Sequence, residues 1–418
     1  MPDITSVPKS EIGYAVAYPG DYWQLDAEST PELRWPMSSR VYEMMRRQDA
    51  QVTSVLRAVT LPVRRTQWRI DPNGARPEVA QMVAEDLRLP LLGEEPQLHA
   101  TRSKGRFAWG DHLQLALLMI QYGHMFFEQV YRIDAAGHAR LAKLAPRMPR
   151  TIASIRVARD GGLESIAQYP MGVAGDYGTT SPSSSVIPVS RLVAYVHDRE
   201  GGNWIGNSLL RPAYKHWVIK DRLLRVQAQT IERNGMGVPV YQAGPSDSTE
   251  DIEAGRDMAT SFRSGDASGA AVPWEAKLRL LGVEGNLPDA TPAIRYHDEQ
   301  IGRAVLAHFL NLGAQTGSWA LGSTFADFFV LSLQTLAQQV ADTANQHIVE
   351  DIVDINFGED EIAPKIVFDE IGSRRDATAE AIKLLVDAGI LFPDRMLEQS
   401  VRTQFGLPPK QDTTGTTP

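Results

Sequence analysis

GGNWIGNSLLRPAYKHWVIKDRLLRVQAQTIERNG, residues 201–235, is the stretch that decides how this chain is organised. Its first eight residues are crowded with Gly and Asn and read as a loop. After Pro212 a proline-free run of helix formers predicts one helix from about Ala213 to Asn234, stopped by Gly235 and Gly237. At about 1.5 Å per residue that helix is roughly 30 Å long. At about 100° per residue Arg211, Lys215, Arg222, Arg225 and Arg233 share an arc of roughly 80°, with Gln229 in the same column. Leu210, Trp217, Leu224 and Ile231 recur every seventh residue on the other side. One face is basic and the other reads as a packing seam. Two readings of the basic face stand side by side: a solvated charged surface, or a helix packed in a ring with its cations turned to a neighbour's acids or to DNA phosphates.

Upstream, Ser38 to Pro62 has helical apolar spacing through Val41, Met44, Met45, Val52, Val55, Leu56 and Val59, which predicts one or two helices ended by Pro62. VRRTQWRIDP, residues 63–72, alternates as a strand, and helices are expected over Pro77–Leu87 and Trp109–Tyr122. FFEQVYRID follows as a strand, with a turn at Ala135–His138. Short β-like pieces then alternate with Gly, Ser and Pro clusters up to Val196, GTTSPSSS at Gly178–Ser185 being the clearest loop, so this half is a mixed α+β domain.

Downstream, Gly237–Ile294 reads as a compact insert: a strand VPVYQA, an acidic helix from about Asp247 to Phe262, and strand residues around Leu278 and Leu280. A helix is expected over Tyr296–Leu312, then GAQTGSWALGS, a Gly- and Ser-rich loop at Gly313–Ser323. From Thr324 to about Asp354 a helix of about 45 Å carries Phe325, Phe329, Leu333, Leu336, Val340, Ala344, Ile348 and Ile352 on one stripe. Trp319 in the preceding loop is either a buried plug or a protruding contact. A small helical pair, Ala377–Ala388 and Asp394–Phe405, and a polar tail close the chain.

The 418 residues carry 42 Lys and Arg against 51 Asp and Glu, a formal charge of −9, so the chain as a whole is not built to grip phosphate backbones by net charge. It contains no cysteine, which removes disulfides, thiolate zinc sites and cysteine nucleophiles together. No apolar run approaches the 18 to 20 or so residues that span a bilayer, and Met1–Tyr14 lacks a charged region followed by an apolar core, so neither a membrane span nor an export signal is expected. The nine histidines form no helix-spaced pair with a glutamate, and no metal site is expected. His197 beside Asp198 is the best local pair, and an ordinary loop contact explains it as well as a proton-transfer role does. GAQTGSWALGS lacks the Gly-Lys-Ser/Thr ending of a nucleotide-phosphate loop, and there is no Gly-x-Ser-x-Gly elbow, so neither cofactor nor catalysis is anticipated.

The order of these parts resembles the portal proteins of tailed bacteriophages, and the wording is closest to the Mu-like portal family. RRQDAQVTSVLRAVTLPVRRTQWRIDP is similar to that family's opening, and WGDHLQLALLMIQYGHMFFEQVYRID to its helix, Tyr-Gly turn and Glu-bearing strand. LAPRMPRTI and DGGLESIAQ follow in order, then GGNWIGNSLLRPAY resembles the lead into the family's first stem helix, and LGAQTGSWALGSTFADFF its loop and long-helix start. The resemblance covers roughly Ser38 to Pro408. It implies an α+β portal fold assembled as a ring, usually of twelve subunits. Its parts would be an irregular segment 1–37, a wing over 38–207, a first stem helix 208–234, a clip 235–295, a second stem helix 296–312, a tunnel loop 313–323, a long wing helix and return strand 324–375, a short helical crown 376–408 and a disordered tail 409–418. The implied stem residues are Arg211, Lys215, Arg222, Arg225 and Arg233, lining the channel or a subunit contact; the implied tunnel-loop residues are Gln315, Thr316, Ser318 and Trp319. The implied partners are further copies of the chain, double-stranded DNA passing through the channel, the terminase large subunit, the head-tail adaptor and the major capsid protein, in a virion whose parts assemble in the host cytoplasm. A different class, a ring-forming structural adaptor without a packaging role, is the runner-up. A DNA-processing enzyme ranks third, because no carboxylate cluster has metal-ligand spacing.

Overall fold

The structure, a computed structural model, describes residues 11, 13, 28–94, 107–169, 185–236, 238–244, 248–261, 271–272, 276–281, 289–304 and 319–372. In chain order a turn of 3-10 helix at Pro31–Leu33 leads into α1 (Met37–Gln48), α2 (Ala50–Arg65), β1 (Trp68–Asp71), α3 (Pro77–Leu87), α4 (Trp109–Ala116) and α5 (Met119–Tyr122). Strands β2 (His124–Ile133), β3 (Ala139–Arg147), β4 (Ile152–Val157), β5 (Leu163–Gln168), β6 (Ser185–Pro188) and β7 (Leu192–Val196) follow. Then come α6 (Tyr214–Met236), β8 (Val238–Gln242), α7 (Thr249–Ser261), β9 (Lys277–Leu281), α8 (Thr291–Arg303), α9 (Trp319–Ala344), α10 (Glu350–Phe357) and β10 (Lys365–Phe368). The chain divides into two compact units, one of residues 1–212 with 304–418 and the other of residues 213–303.

The first unit is built around β2, whose alternating side chains serve two cores. Met125 and Phe127 face a helical layer with Val193 and Tyr195 of β7, while Phe126 faces the other way with Leu192, Ala194 and Val196. The sheet β3-β2-β7 is antiparallel, and a second antiparallel sheet, β4-β5-β6, supplies Ile152, Leu163, Ile166 and Ile187 to the Phe126 side. On the helical side α9 lays Phe329, Leu333, Leu336, Val340 and Ala344 into the larger core, as the stripe in its sequence predicts. β1 pairs with β10 from nearly three hundred residues away in register Trp68↔Phe368, and Trp68 packs against Trp109 at 5.4 Å between ring centres.

Two helix boundaries follow from side-chain hydrogen bonds. Asp49 splits the first helical stretch in two, because its Oδ1 caps α2 by accepting from the amides of Gln51 at 2.8 Å and Val52 at 3.1 Å. Between α9 and α10 the chain widens into a π turn at Asn345–Val349, where Asn345 exchanges two hydrogen bonds with the backbone of Ile366 and the His347 carbonyl accepts from Gln129.

Several sequence expectations need correcting. Pro62 does not end the helix: α2 runs on to Arg65, where the fully buried Val63 holds the last turn in the core. The stretch Trp109–Tyr122 is two helices, not one. The long helix begins at Trp319, so the last five residues of the expected Gly313–Ser323 loop are helical, and the helix reaches Phe357 only through the π turn. The helix expected from Tyr296 begins earlier, at Thr291.

In the second unit α6 and α8 form an antiparallel pair, and β8 pairs with β9 in register Val240↔Arg279. α7 starts in a reciprocal cap: Ser248 Oγ accepts from the Asp251 amide at 3.3 Å, and Asp251 Oδ2 from the Ser248 amide at 2.9 Å. The expected pair of C-terminal helices, the tail, residues 305–312 and the loop at 178–184 lie outside the described residues.

Candidate functional site

The Gly-rich loop before α6 is clasped to the Tyr122–Gly123 turn. Gly123 has φ 92° and Gly206 φ 67°; a Cβ on the first would lie 2.5 Å from the Ile205 carbonyl oxygen, and on the second 2.3 Å from that of Gly123. Only glycine meets both demands. The His197 amide donates to the Gly123 carbonyl at 2.8 Å, the Leu209 amide to Ile120 at 2.9 Å, and Ser208 Oγ to Gln121 at 2.5 Å. His124 Nδ1 donates to the Ile205 carbonyl at 2.8 Å, and burial pushes its pKa down to about 4, so the ring stays neutral. Trp204 completes the loop, its Nε1 donating to Gly161 at 2.8 Å with the Arg199 guanidinium 4.3 Å above its ring. His197, weighed above for proton transfer, spends Nδ1 on the Asn207 carbonyl at 2.7 Å, and the Asp198 carbonyl accepts from Asn207 at 2.9 Å. The pair belongs to the clasp.

Arg211 stands apart from the other four stem candidates. It precedes the first turn of α6, and its guanidinium grips Glu28 through both oxygens, at 2.5 and 2.8 Å. Burial pushes the Glu28 carboxyl up, and the hydrogen bonds from Arg211 and Thr30 outweigh it, so the pKa is lowered on balance. The clasp and this ion pair together fix the backbone up to the residue before Pro212.

On α6, Lys215, Arg222 and Arg225 are exposed; Arg225 also pairs with Asp221 one turn earlier at 2.8 Å. The side chain of Arg233 lies outside those described. The seam against α8 differs from the expected one. It runs through His216, Lys220, Leu223, Gln227 and Thr230, with His216 Nδ1 3.0 Å from His297 Nδ1, Lys220 Nζ 2.5 Å from Asp298 Oδ1, and Gln227 Nε2 3.5 Å from Thr291 Oγ1. Of the predicted heptad stripe, Leu224 and Ile231 stay 44% and 65% exposed. Lys215, Arg222 and Arg225 are centred about 130° around the helix from the α8 seam. The basic face therefore points away from α8.

Trp319 is the first residue of α9, while Gln315, Thr316 and Ser318 lie outside the described residues. Among the described residues no three metal-ligating side chains converge, and no helix is long and apolar enough to cross a membrane. Sequence reading missed the clasp and the His216–His297 contact; the paired Tyr-Gly and Trp-Ile-Gly-Asn-Ser motifs were the available signal for the first.

The profile of a family described as "Portal protein of Mu bacteriophage" matches residues 39–407. Among solved structures, the chain is similar to one described as "Neck of empty GTA particle computed with C6 symmetry", at TM-score 0.56 and 11% identity, covering 88% of this chain and 94% of that one. It is also similar to one described as "Neck of native GTA particle computed with C12 symmetry", at TM-score 0.54 and 10% identity with the same coverage. A third, the "HK97 Family Phage Portal Protein from Corynebacterium diphtheriae", matches at TM-score 0.41 and 12% identity over 79% of this chain and 95% of that one.

Proposed function

The chain belongs to the portal protein family of Mu bacteriophage and is a portal, a head-tail connector, and we propose that its copies close into a ring of twelve around a channel that conducts double-stranded DNA into and out of the capsid. The observation that carries this reading is the α6–α8 pair. It presents a basic face away from its own partner helix and leaves Leu224 and Ile231 uncovered, as a helix pair does when neighbours complete its packing. The twelvefold symmetry given for a neck structure of similar fold supports the subunit number.

In this reading α6 and α8 are the stem, with Lys215, Arg222, Arg225 and Arg233 turned to the channel or to the next subunit, and residues 237–290 between the two helices are the clip. The terminase large subunit docks there during packaging and the head-tail adaptor afterwards, while residues 38–207 with the long helix and return strand of 324–375 supply the wing that meets the major capsid protein. A conduit must not hold DNA tightly, because every neutralised phosphate adds affinity that opposes movement. A chain of net charge −9 with a few positioned cations suits that task. The protein performs no catalysis in this scheme and takes no cofactor. Negative-stain electron microscopy with mass by light scattering tests it: a closed ring of about twelve with an open axial hole is expected, and a stable monomer at high concentration would contradict it. Charge reversal at Arg222 and Arg225 that left both packaging and assembly intact would remove the role given to the basic face.

A further inference from the structure

The first unit carries a second concentration of positive charge that has no part in the stem. Glu43 on α1, its side chain 10% exposed, is met by Arg47 at 2.5 Å and by Arg150 at 2.9 Å. Glu128 on β2, 16% exposed, is met by Arg147 and by Arg191 at 2.9 Å. The two clusters adjoin, because the turn Pro149–Thr151, which begins two residues after Arg147, packs on both α1 and β2. Arg46 joins them, and the fields of Arg46, Arg47 and Arg150 all reach the Tyr122 hydroxyl. Five guanidiniums against two carboxylates leave an excess of about three positive charges on a chain of net charge −9.

One arginine would neutralise each glutamate. The second at each site is a surplus, and Arg47, Arg150 and Arg191 are more than half exposed, so each keeps donors turned to solvent while a near-buried carboxylate holds it in place. Guanidiniums ordered in this way match phosphate oxygens through paired N–H donors, at little further cost in side-chain entropy. They are divided between two separate carboxylates, which suits successive phosphates along a backbone better than one isolated anion.

We infer that this arginine strip is a second DNA-contact surface, which takes the phosphate backbone of duplex DNA lying across the first unit rather than passing along α6. The inference rests on the portal reading only in its choice of polyanion.

A closed circle of duplex DNA cannot thread a closed ring, so it reports on surfaces outside the channel, whereas a short linear duplex reports on both. The assay is retention of each by the purified full-length protein between about 50 and 200 mM salt. An excess of three charges predicts that wild-type affinity for the circle falls roughly 40-fold over that range. The triple variant Arg47→Gln, Arg150→Gln, Arg191→Gln is expected to bind the circle at least about tenfold more weakly at the lower salt and with a shallower dependence. Arg222→Gln with Arg225→Gln should leave circle binding unchanged. Should the triple variant fail to fold, Gln48→Arg, exposed on α1 beside Arg47, provides the opposite test: tighter circle binding and a steeper salt slope. A triple variant that holds the circle with unaltered affinity and slope, or a Gln48→Arg protein indistinguishable from wild type, would overturn the inference. So would a wild type that ignores the circle but binds polyglutamate through these arginines, which would assign the strip to an acidic protein. If no ring forms, circle and linear duplex are retained alike, which separates failure of the portal reading from failure of the strip.

Discussion

The Nδ1 atoms of His216 and His297 lie 3.0 Å apart across the α6–α8 seam, a distance that suits one shared proton and not two. With both rings protonated, two N–H donors would face each other. Burial lowers the pKa of His216, and the nearby His297 and Lys215 lower it further, while Lys220 and Asp298 pair beside them. Because the folded pKa of His216 sits below the ordinary imidazole value of about 6.5, the unfolded helix pair binds more protons over the interval between the two. Its contribution to stability is therefore complete above about pH 6.5 and is lost as pH falls toward the folded value. Amide exchange corrected for intrinsic rates should show α6 and α8 opening together as pH falls from 7.5 to 5 or so. His297→Gln, which can still hydrogen-bond but cannot charge, should remove most of that dependence; an unchanged profile in the variant would assign the opening to other groups.

Gly206→Ala tests the clasp. The new methyl group would stand 2.3 Å from the Gly123 carbonyl oxygen and 2.7 Å from that of His197, at a φ of 67°. Backbone strain and overpacking together predict a loss of about 3 kcal/mol or more. Denaturant unfolding of wild type and variant measures it, with Gly137→Ala as a control, since that glycine has positive φ but open space around its Cβ and should cost only about 1 kcal/mol.

The parts of this fold that could be read in the sequence are those fixed by local chemistry. α3 spans Pro77–Leu87 as the proline start and the apolar spacing predict, and the alternation around Trp68 and Ile70 gives β1. Elements whose boundaries depend on distant residues were not legible. Trp319 begins a helix although Gly and Ser surround it. The α6 seam passes through His216, Lys220 and Gln227, polar residues whose partners His297, Asp298 and Thr291 stand more than sixty residues later in the chain. A seven-residue apolar repeat pointed instead to Leu224 and Ile231, which this chain leaves exposed. Arg211 has the spacing of the basic column, but the chain turns there before the helix begins, and Glu28 takes its guanidinium.

The Glu28–Arg211 pair is partly exposed, at 20% and 41%, so its worth should be modest. Arg211→Lys keeps the charge and loses the two-pronged contact, with an expected cost of about 1 kcal/mol. Since the Glu28 pKa is lowered on folding, the stability it contributes is present above the ordinary glutamate value of about 4.5 and lost as pH falls below it. Thermal melts of wild type and Arg211→Lys should therefore differ near neutrality and converge in acid; a constant gap down to about pH 3 would mean that packing of the arginine stem, and not the ion pair, sets the difference.

Leu224 and Ile231 give the sharpest separation between folding and assembly. Both are exposed in the single chain, so replacing them with glutamate removes little packing from the α6–α8 pair and should change its stability by no more than about 0.5 kcal/mol. In a ring whose neighbours cover that face, each glutamate would be buried opposite apolar surface, at a cost of several kcal/mol per contact unless a cation meets it. The double variant Leu224→Glu, Ile231→Glu is therefore expected to keep a wild-type circular dichroism spectrum and melt while light scattering shows it dispersed into monomers. A variant that still forms rings of normal mass would show that these residues stay in solvent in the assembled particle, and would move the subunit contact to another face of α6.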